Sequence, residues 1–247
     1  MNRNIFLRIL LILLSVIICS PGLYLNDTVY AHNFSITDDS ALLTLIEQIK
    51  AETELVNAYF LASNSISAIE HAKNAANLTS SLDNKLRQST VADITQIYAD
   101  GLYNSTTLAL VVANLVDEIL RSYGRGYGIS YDLTNITNMM STMMLNNDNS
   151  SSDDSRMSAK NNAVPVNIYD YQTAKALSNI VDRLFNDVLS AQAPVNEKVT
   201  VDNLKHSIKD LKYAVDNNVQ AEALMEIVHM KIHPMLQSAY DLKLVVR

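Results

Sequence analysis

The stretch IYDYQTAKALSNIVDRLFNDV, residues 168–188, decides the fold class of this chain. Its apolar residues recur every three or four positions, with charged and amide side chains between them. This spacing places the apolar side chains on one face of an α-helix, whereas a half-buried strand would alternate at every second residue. Pro165 before the stretch and Ala193-Pro194 after it predict where the helix starts and stops.

The same period predicts helices on both sides of this stretch. Towards the C-terminus, residues 200–215 and 219–244 form two more. Towards the N-terminus, one helix begins near Asp38-Asp39-Ser40 and runs to about Ala76, and a second runs from Leu82 to Leu120. The apolar stripe of the first helix comprises Leu42, Leu45, Ile46, Ile49, Val56, Phe60, Ile66 and Ile69, with Glu47, Lys50, Glu52 and Glu54 on its other faces.

Glycine and proline are scarce, at 5 and 4 residues in a chain of 247, which favours helices over a turn-rich β protein. Gly124, Gly126 and Gly128 are expected to end the second helix. No strand precedes them and no P-loop lysine follows, so they predict a chain reversal rather than a phosphate site. The pattern predicts an all-α protein, an antiparallel four- to five-helix bundle made of two helical hairpins.

We therefore divide the chain into four parts. Residues 1–31 are a signal peptide and residues 32–128 an N-terminal helical hairpin. Residues 129–164 hold a short Met-rich helix and a polar linker expected to be disordered. Residues 165–247 supply the C-terminal helices that complete one bundle.

The N-terminal sequence is typical of an export signal. Arg3 and Arg8 precede the apolar run Ile9–Cys19, which is shorter than the roughly 20 residues of a membrane span. Val29-Tyr30-Ala31 provides a small-residue cleavage site, so the mature chain would begin at His32. The alternative is an uncleaved anchor reaching Leu25. Either predicts an extracytoplasmic protein.

Charge and cysteine content exclude several classes of function. Without residues 1–31 the chain keeps 17 basic and 25 acidic residues, a net charge of −8, which is unsuited to nucleic acid. Its one cysteine, Cys19, lies in the signal, so the mature chain has neither a disulfide nor a thiolate ligand. There is also no Gly-x-Ser-x-Gly elbow, and we expect no catalytic activity of the chain's own.

Metal-capable side chains concentrate between Glu222 and Met235. His229 and His233 are four residues apart and Glu226 is three before His229, which places them on one face of a helix. They predict a copper or zinc site, completed by a methionine, by His71 or by the N-terminal His32. Glu226-x-x-His229 is also half of a di-iron signature, but the second half is missing. The alternative is that His229 flanks a helix whose Met225, Ile232 and Leu236 face the core.

Met139, Met140, Met143 and Met144 form a second soft-ligand cluster. Thioether sulfur suits Cu(I) in an extracytoplasmic protein. Equally, methionine makes an adaptable apolar face for a short docking helix.

The signal ending Val29-Tyr30-Ala31-His32 and the paired segments Ile227-Val228-His229 and Ile232-His233-Pro234 resemble exported helical proteins of ammonia-oxidising archaea. In outline the chain is similar to the soluble helical subunit of their membrane-bound ammonia monooxygenase. The resemblance implies a non-catalytic subunit on the outer face of the membrane, in a complex whose copper ligands belong to other subunits.

These observations lead to two hypotheses. The first is an accessory or structural subunit of an extracytoplasmic membrane-enzyme complex, with a membrane-bound protein complex as its partner. The alternative is a copper- or iron-binding bundle that stores or delivers metal.

Overall fold

The computed structural model describes residues 37–86, 104–135 and 164–243. Within these ranges the chain is all-helical and contains no strand, so the predicted all-α bundle is confirmed. The signal peptide, its cleavage site, His32 and the methionine cluster 139–144 lie outside the described residues. No helix within the described ranges is both long enough and apolar enough to cross a membrane.

Six helices make up the described bundle. The first three are α1 (Asp38–Leu61), α2 (Ser65–Leu86) and α3 (Ser105–Gly126). The fourth is α4 (Ile168–Leu184), extended by a π-helical turn at Phe185–Leu189. The last two are α5 (Lys198–Asp216) and α6, which comprises Ala221–Glu226, a π-helical turn at Ile227–Ile232 and His233–Tyr240.

The core centres on α3. This helix is buried on nearly all its faces, as expected for a helix that is hydrophobic all round. It packs most extensively on α4, and also on α1 and α6, while α4 packs on α5. Residues before 129 and after 164 therefore share one core, whereas the arrangement as two hairpins stays a prediction.

The predicted single helix from about residue 40 to residue 76 is wrong. Ser63 adopts a left-handed backbone (φ 58°), and the chain reverses so that α2 packs along α1. Asn64 begins α2 by accepting a hydrogen bond from the Ser67 amide with its side chain, while its own amide bonds Tyr59 O. The Asn64 side chain bonds a backbone amide in the first turn of α2, and that amide would be bonded internally if α1 and α2 were one continuous helix. This cap is the local reason for the break.

The side chains that α1 and α2 bury differ from those of the predicted apolar stripe. Phe60, Ile66 and Ile69 belong to the predicted apolar stripe but are exposed in the structure. Conversely, Glu47 and Glu52, predicted on outer faces, are buried. Glu47, Glu52 and Phe60 all precede the turn at Ser63, so the buried face of α1 itself differs from the predicted stripe, and only Ile66 and Ile69 lie beyond the reversal.

The glycine run ends α3 as predicted. A Cβ on Gly126 would lie 3.0 Å from the backbone nitrogen of Tyr171, and Gly126 O accepts a hydrogen bond from the Asn167 amide. Gly128 has φ +67°, which favours glycine. The missing side chain at Gly126 thus allows the start of α4 to approach the end of α3.

Candidate functional site

The structure divides the predicted site residues between two buried centres. His229 and His233 lie together on α6, with ring centroids 5.5 Å apart and ring planes at 71°. Nε2 of His229 is 2.9 Å from the carbonyl oxygen of Leu133, and Nε2 of His233 is 3.3 Å from Oδ1 of Asp117 on α3. Because a carbonyl oxygen only accepts, His229 donates its Nε2 proton and fastens residues 131–135 to α6. A second bond, from Tyr131 Oη to Glu222 Oε1 (3.1 Å), supports the same attachment.

Glu226 does not complete this pair. It is half-buried and immediately precedes the π-helical turn. Because a π turn bonds residue i to i+5, the three-residue step from Glu226 to His229 does not return to the same face as it would in an α-helix. Within residues 37–86, 104–135 and 164–243, no group of three or more His, Cys, Asp or Glu side chains has an arrangement that could hold a metal ion.

Pro234 explains why the helix widens here. Proline has no amide proton and its ring crowds the carbonyl four residues earlier, so an α-helical bond is missing at this point. The six residues Ile227–Ile232 before it form the π turn, and His233–Tyr240 then resumes the α-helix. The π turn thus lies directly on the N-terminal side of His233 and Pro234.

The second centre surrounds His71, where α1, α2 and α4 meet. His71 is fully buried, with Nδ1 2.8 Å from Oε2 of Glu52 and Nε2 2.9 Å from Oε1 of Gln172. The other oxygen of Glu52 accepts a hydrogen bond of 2.6 Å from Thr173 Oγ1. Both ring nitrogens of His71 are thus engaged by α1 and α4, and neither is available to the pair on α6.

The partners of His71 favour its charged form. Burial by itself lowers the pKa of His71, but the hydrogen bonds to Glu52 and Gln172 and the negative charge of Glu52 outweigh it. The result is a pKa raised above the ordinary value of 6.5. An imidazolium can donate from both nitrogens, which is what two acceptor oxygens require.

Two tyrosines complete the surroundings of this ring. Tyr59 stacks on His71 with ring centroids 5.6 Å apart and planes at 10°, and Tyr169 meets it edge-on at 6.1 Å. Stacked aromatic faces add favourable contacts to a cationic ring. The His71 centre therefore joins three helices through one buried ion pair held between aromatic side chains.

Sequence reasoning named His71 but not its partners. Glu52 is 19 residues away and Gln172 is 101 residues away, so no local spacing signals the contact. The one indication is a glutamate within the apolar part of α1, four residues before Val56. The helix reversal at Ser63 then brings Glu52 and His71 together.

Fold and site together define an all-α bundle whose central polar feature is a buried histidine–glutamate pair at a three-helix junction. Comparison of the chain with models of protein families, with curated proteins and with solved structures found no match.

Proposed function

We propose that this chain is an exported, non-catalytic helical bundle that serves as an accessory or structural subunit of an extracytoplasmic membrane-enzyme complex. The observation that carries the proposal is the group of apolar side chains at the α1–α2 turn. We call Phe60, Leu61, Ile66 and Ile69 the apolar tip; their exposed fractions are 73%, 74%, 67% and 54%. They occupy the last turn of α1 and the first turns of α2, so they crowd one end of the bundle.

The composition of the tip fits a protein partner. Single exposed apolar residues are ordinary on a protein surface, but a group of large ones marks an interaction site. No charged residue occurs from Leu55 to Ile69, and there is no Lys or Arg between Lys50 and Lys73. Cores of protein interfaces are depleted of charge, whereas binding to anionic lipid headgroups needs basic residues.

The buried polar groups support a structural role. The His71 centre joins α1, α2 and α4, and the His229 centre attaches residues 131–135 to α6. In both centres the histidine bonds a side chain or a backbone carbonyl of another segment, so each centre joins separate parts of the chain. The resemblance of the segment around His229 and His233 suggests ammonia monooxygenase as the first complex to test.

The experiment is native purification of membrane complexes from cells that produce the tagged full-length chain. We expect the wild type to co-purify with membrane proteins, and the variant Phe60→Ser plus Ile66→Ser to lose at least about tenfold of that recovery, since each apolar side chain contributes roughly 1.5–3 kcal/mol when buried. The matched control is Val195→Ser plus Val199→Ser, two valines exposed near the start of α5, which should co-purify as the wild type does. Consistent absence of the wild-type chain from all membrane complexes would refute the proposal.

A copper- or iron-binding bundle is the second candidate, and one observation favours it. The buried rings of His229 and His233 lie 5.5 Å apart, so a rearrangement of α6 would give a metal two imidazole ligands. Metal analysis after copper loading separates the candidates: this function predicts bound metal in the wild type and its loss in His229→Ala plus His233→Ala. Metal-free wild-type protein would eliminate it.

A further inference from the structure

The end of the hairpin that α1 and α2 form is little covered by the rest of the bundle. The last buried residue of α1 is Glu52, and the first buried residue of α2 is Ser67. We call residues 57–66 the hairpin end; all of them are exposed except Tyr59, which is half-buried. Three of the four side chains of the apolar tip lie in this segment. The orientation of the tip on the bundle therefore depends on few contacts.

Backbone hydrogen bonds fix the shape of the hairpin end. The Asn64 amide donates to the carbonyl oxygen of Tyr59 at 2.9 Å, and the Ser63 amide donates to that of Phe60 at 3.1 Å. Both bonds join residues of the hairpin end to one another. They hold the turn together, but they do not attach it to α3 or α4.

Tyr59 connects the hairpin end to the body of the bundle. Its ring stacks on the fully buried His71 ring at 5.6 Å, with the planes at 10°. His71 is in turn bonded to Gln172 on α4, so the contact reaches beyond the hairpin. Burial also raises the pKa of the Tyr59 phenol, in agreement with a ring shielded from water. Tyr59 thus holds the turn with its carbonyl oxygen and the His71 centre with its ring.

A second contact near the hairpin end is the ion pair between Glu54 and Arg183 of α4. Its atoms are 3.0 Å apart, and both side chains are 56% exposed. An exposed ion pair of this kind is screened by water and salt and contributes little. Of the two contacts, the stack on His71 is therefore the one that can fix an orientation.

We propose that Tyr59 is the positioning residue of the apolar tip. Stacked on His71, it holds Phe60, Leu61 and Ile66 in one orientation on the bundle. A surface that is already ordered binds more tightly, because the entropy of ordering it is not lost again on binding. The inference rests on the proposed docking role, to which it adds a side chain that turns inward, away from the exposed surface.

Electron paramagnetic resonance distance measurement tests the orientation directly and needs no partner. Spin labels are attached at Ser65→Cys, the exposed start of α2, and at Val199→Cys near the start of α5, in the full-length chain with Cys19→Ser. We expect one narrow distance distribution in this background and with Tyr59→Phe, which keeps the ring. Tyr59→Leu should widen the distribution at least about twofold, because the hairpin end then samples several orientations. The matched control Tyr213→Leu changes an exposed tyrosine of α5 and should leave the width unchanged.

A second label pair separates a freed hairpin end from a loosened bundle. Val166→Cys and Val199→Cys are both exposed and lie before α4 and near the start of α5. Their distance distribution should keep its width in Tyr59→Leu. Widening of this second distribution to the same extent, or an unchanged first distribution, would overturn the proposal.

Co-purification with membrane proteins then tests the link to docking, with the same Tyr59 variants of the full-length chain without labels. Tyr59→Leu leaves all four side chains of the apolar tip in place, yet should lower recovery at least about fivefold, and Tyr59→Phe should restore it. If the wild type co-purifies and Tyr59→Leu does so equally well, Tyr59 does not position the tip for docking, while the docking role stands. If the wild type itself is absent from membrane complexes, the docking role fails, and the label distances alone decide whether Tyr59 orients the hairpin end.

Discussion

The buried pair of Glu52 and His71 makes a prediction that can be worked through in detail. Glu52→Gln keeps the size of the side chain and leaves an oxygen to accept from Thr173, but removes the negative charge 2.8 Å from Nδ1 of His71. A hydrogen bond to a charged partner contributes about 1.5–3 kcal/mol and a neutral one about 0.5–1.5 kcal/mol. The variant should therefore lower the free energy of unfolding by about 1.5 kcal/mol at pH 6.

The sign of the pH dependence follows from His71. Its pKa is raised in the folded protein above the ordinary value of 6.5, so the folded state holds the proton more tightly than the unfolded chain. The stabilisation is fully present below about pH 6.5 and is lost as the pH rises through the folded-state pKa. The difference between wild type and Glu52→Gln should accordingly shrink at pH 9.

Urea unfolding followed by far-ultraviolet circular dichroism, at pH 6 and pH 9, measures both free energies. The matched control is Glu54→Gln on the same helix, which removes an exposed ion pair with Arg183 and should change stability by no more than about 0.5 kcal/mol. An effect of Glu52→Gln that is absent at pH 6, or equal at the two pH values, would refute the charged pair.

Three further predictions concern the packing. Ile119→Ala, at a fully buried position of α3, should cost about 2–5 kcal/mol in urea unfolding, whereas Ile66→Ala at the apolar tip should cost under about 0.5 kcal/mol; similar losses would place Ile66 in the core. Gly126→Ala should cost about 1–3 kcal/mol because its Cβ meets the backbone of Tyr171, and Gly124→Ala, which meets only the Leu133 side chain, should cost less; the reverse order of thermal midpoints would contradict the close approach of α3 and α4. His229→Phe removes the bond to Leu133 O and should cost about 1–3 kcal/mol while speeding amide hydrogen exchange in residues 131–135; unchanged exchange there would show that His229 does not hold this segment.

The parts of the fold that sequence predicted well are those governed by local periodicity. The predicted helices at 168–188 and 200–215 are present in the structure. They could be predicted because the apolar stripe and the stop signal of each lie within a single element. The all-α class follows from the same pattern. The end of α3 at the glycine run was also predictable, because it depends on single residues. Gly126 lacks the Cβ that would meet Tyr171, and Gly128 adopts a positive φ.

Sequence reasoning failed where a contact depends on a turn or on distant residues. The apolar stripe through Phe60 and Ile66 continued the helical period past Ser63, where a left-handed residue reverses the chain. The pairing of Glu52 with His71 exists only after that reversal. The metal site at Glu226, His229 and His233 stays a prediction: His229 and His233 lie together as expected, whereas the π turn at Ile227–Ile232 departs from the 3.6 residues per turn that the spacing from Glu226 assumed.

The central claim, docking through the apolar tip, is tested most directly by site-specific photo-crosslinking in native membranes. A photoreactive residue in place of Ile66 should give a crosslink to a membrane protein that mass spectrometry can identify, because Ile66 would lie within the interface. The same residue in place of Val195, which is 94% exposed on another part of the bundle, should give none. If position 66 yields no intermolecular adduct, or if position 195 captures the same protein equally well, the apolar tip is not the docking surface.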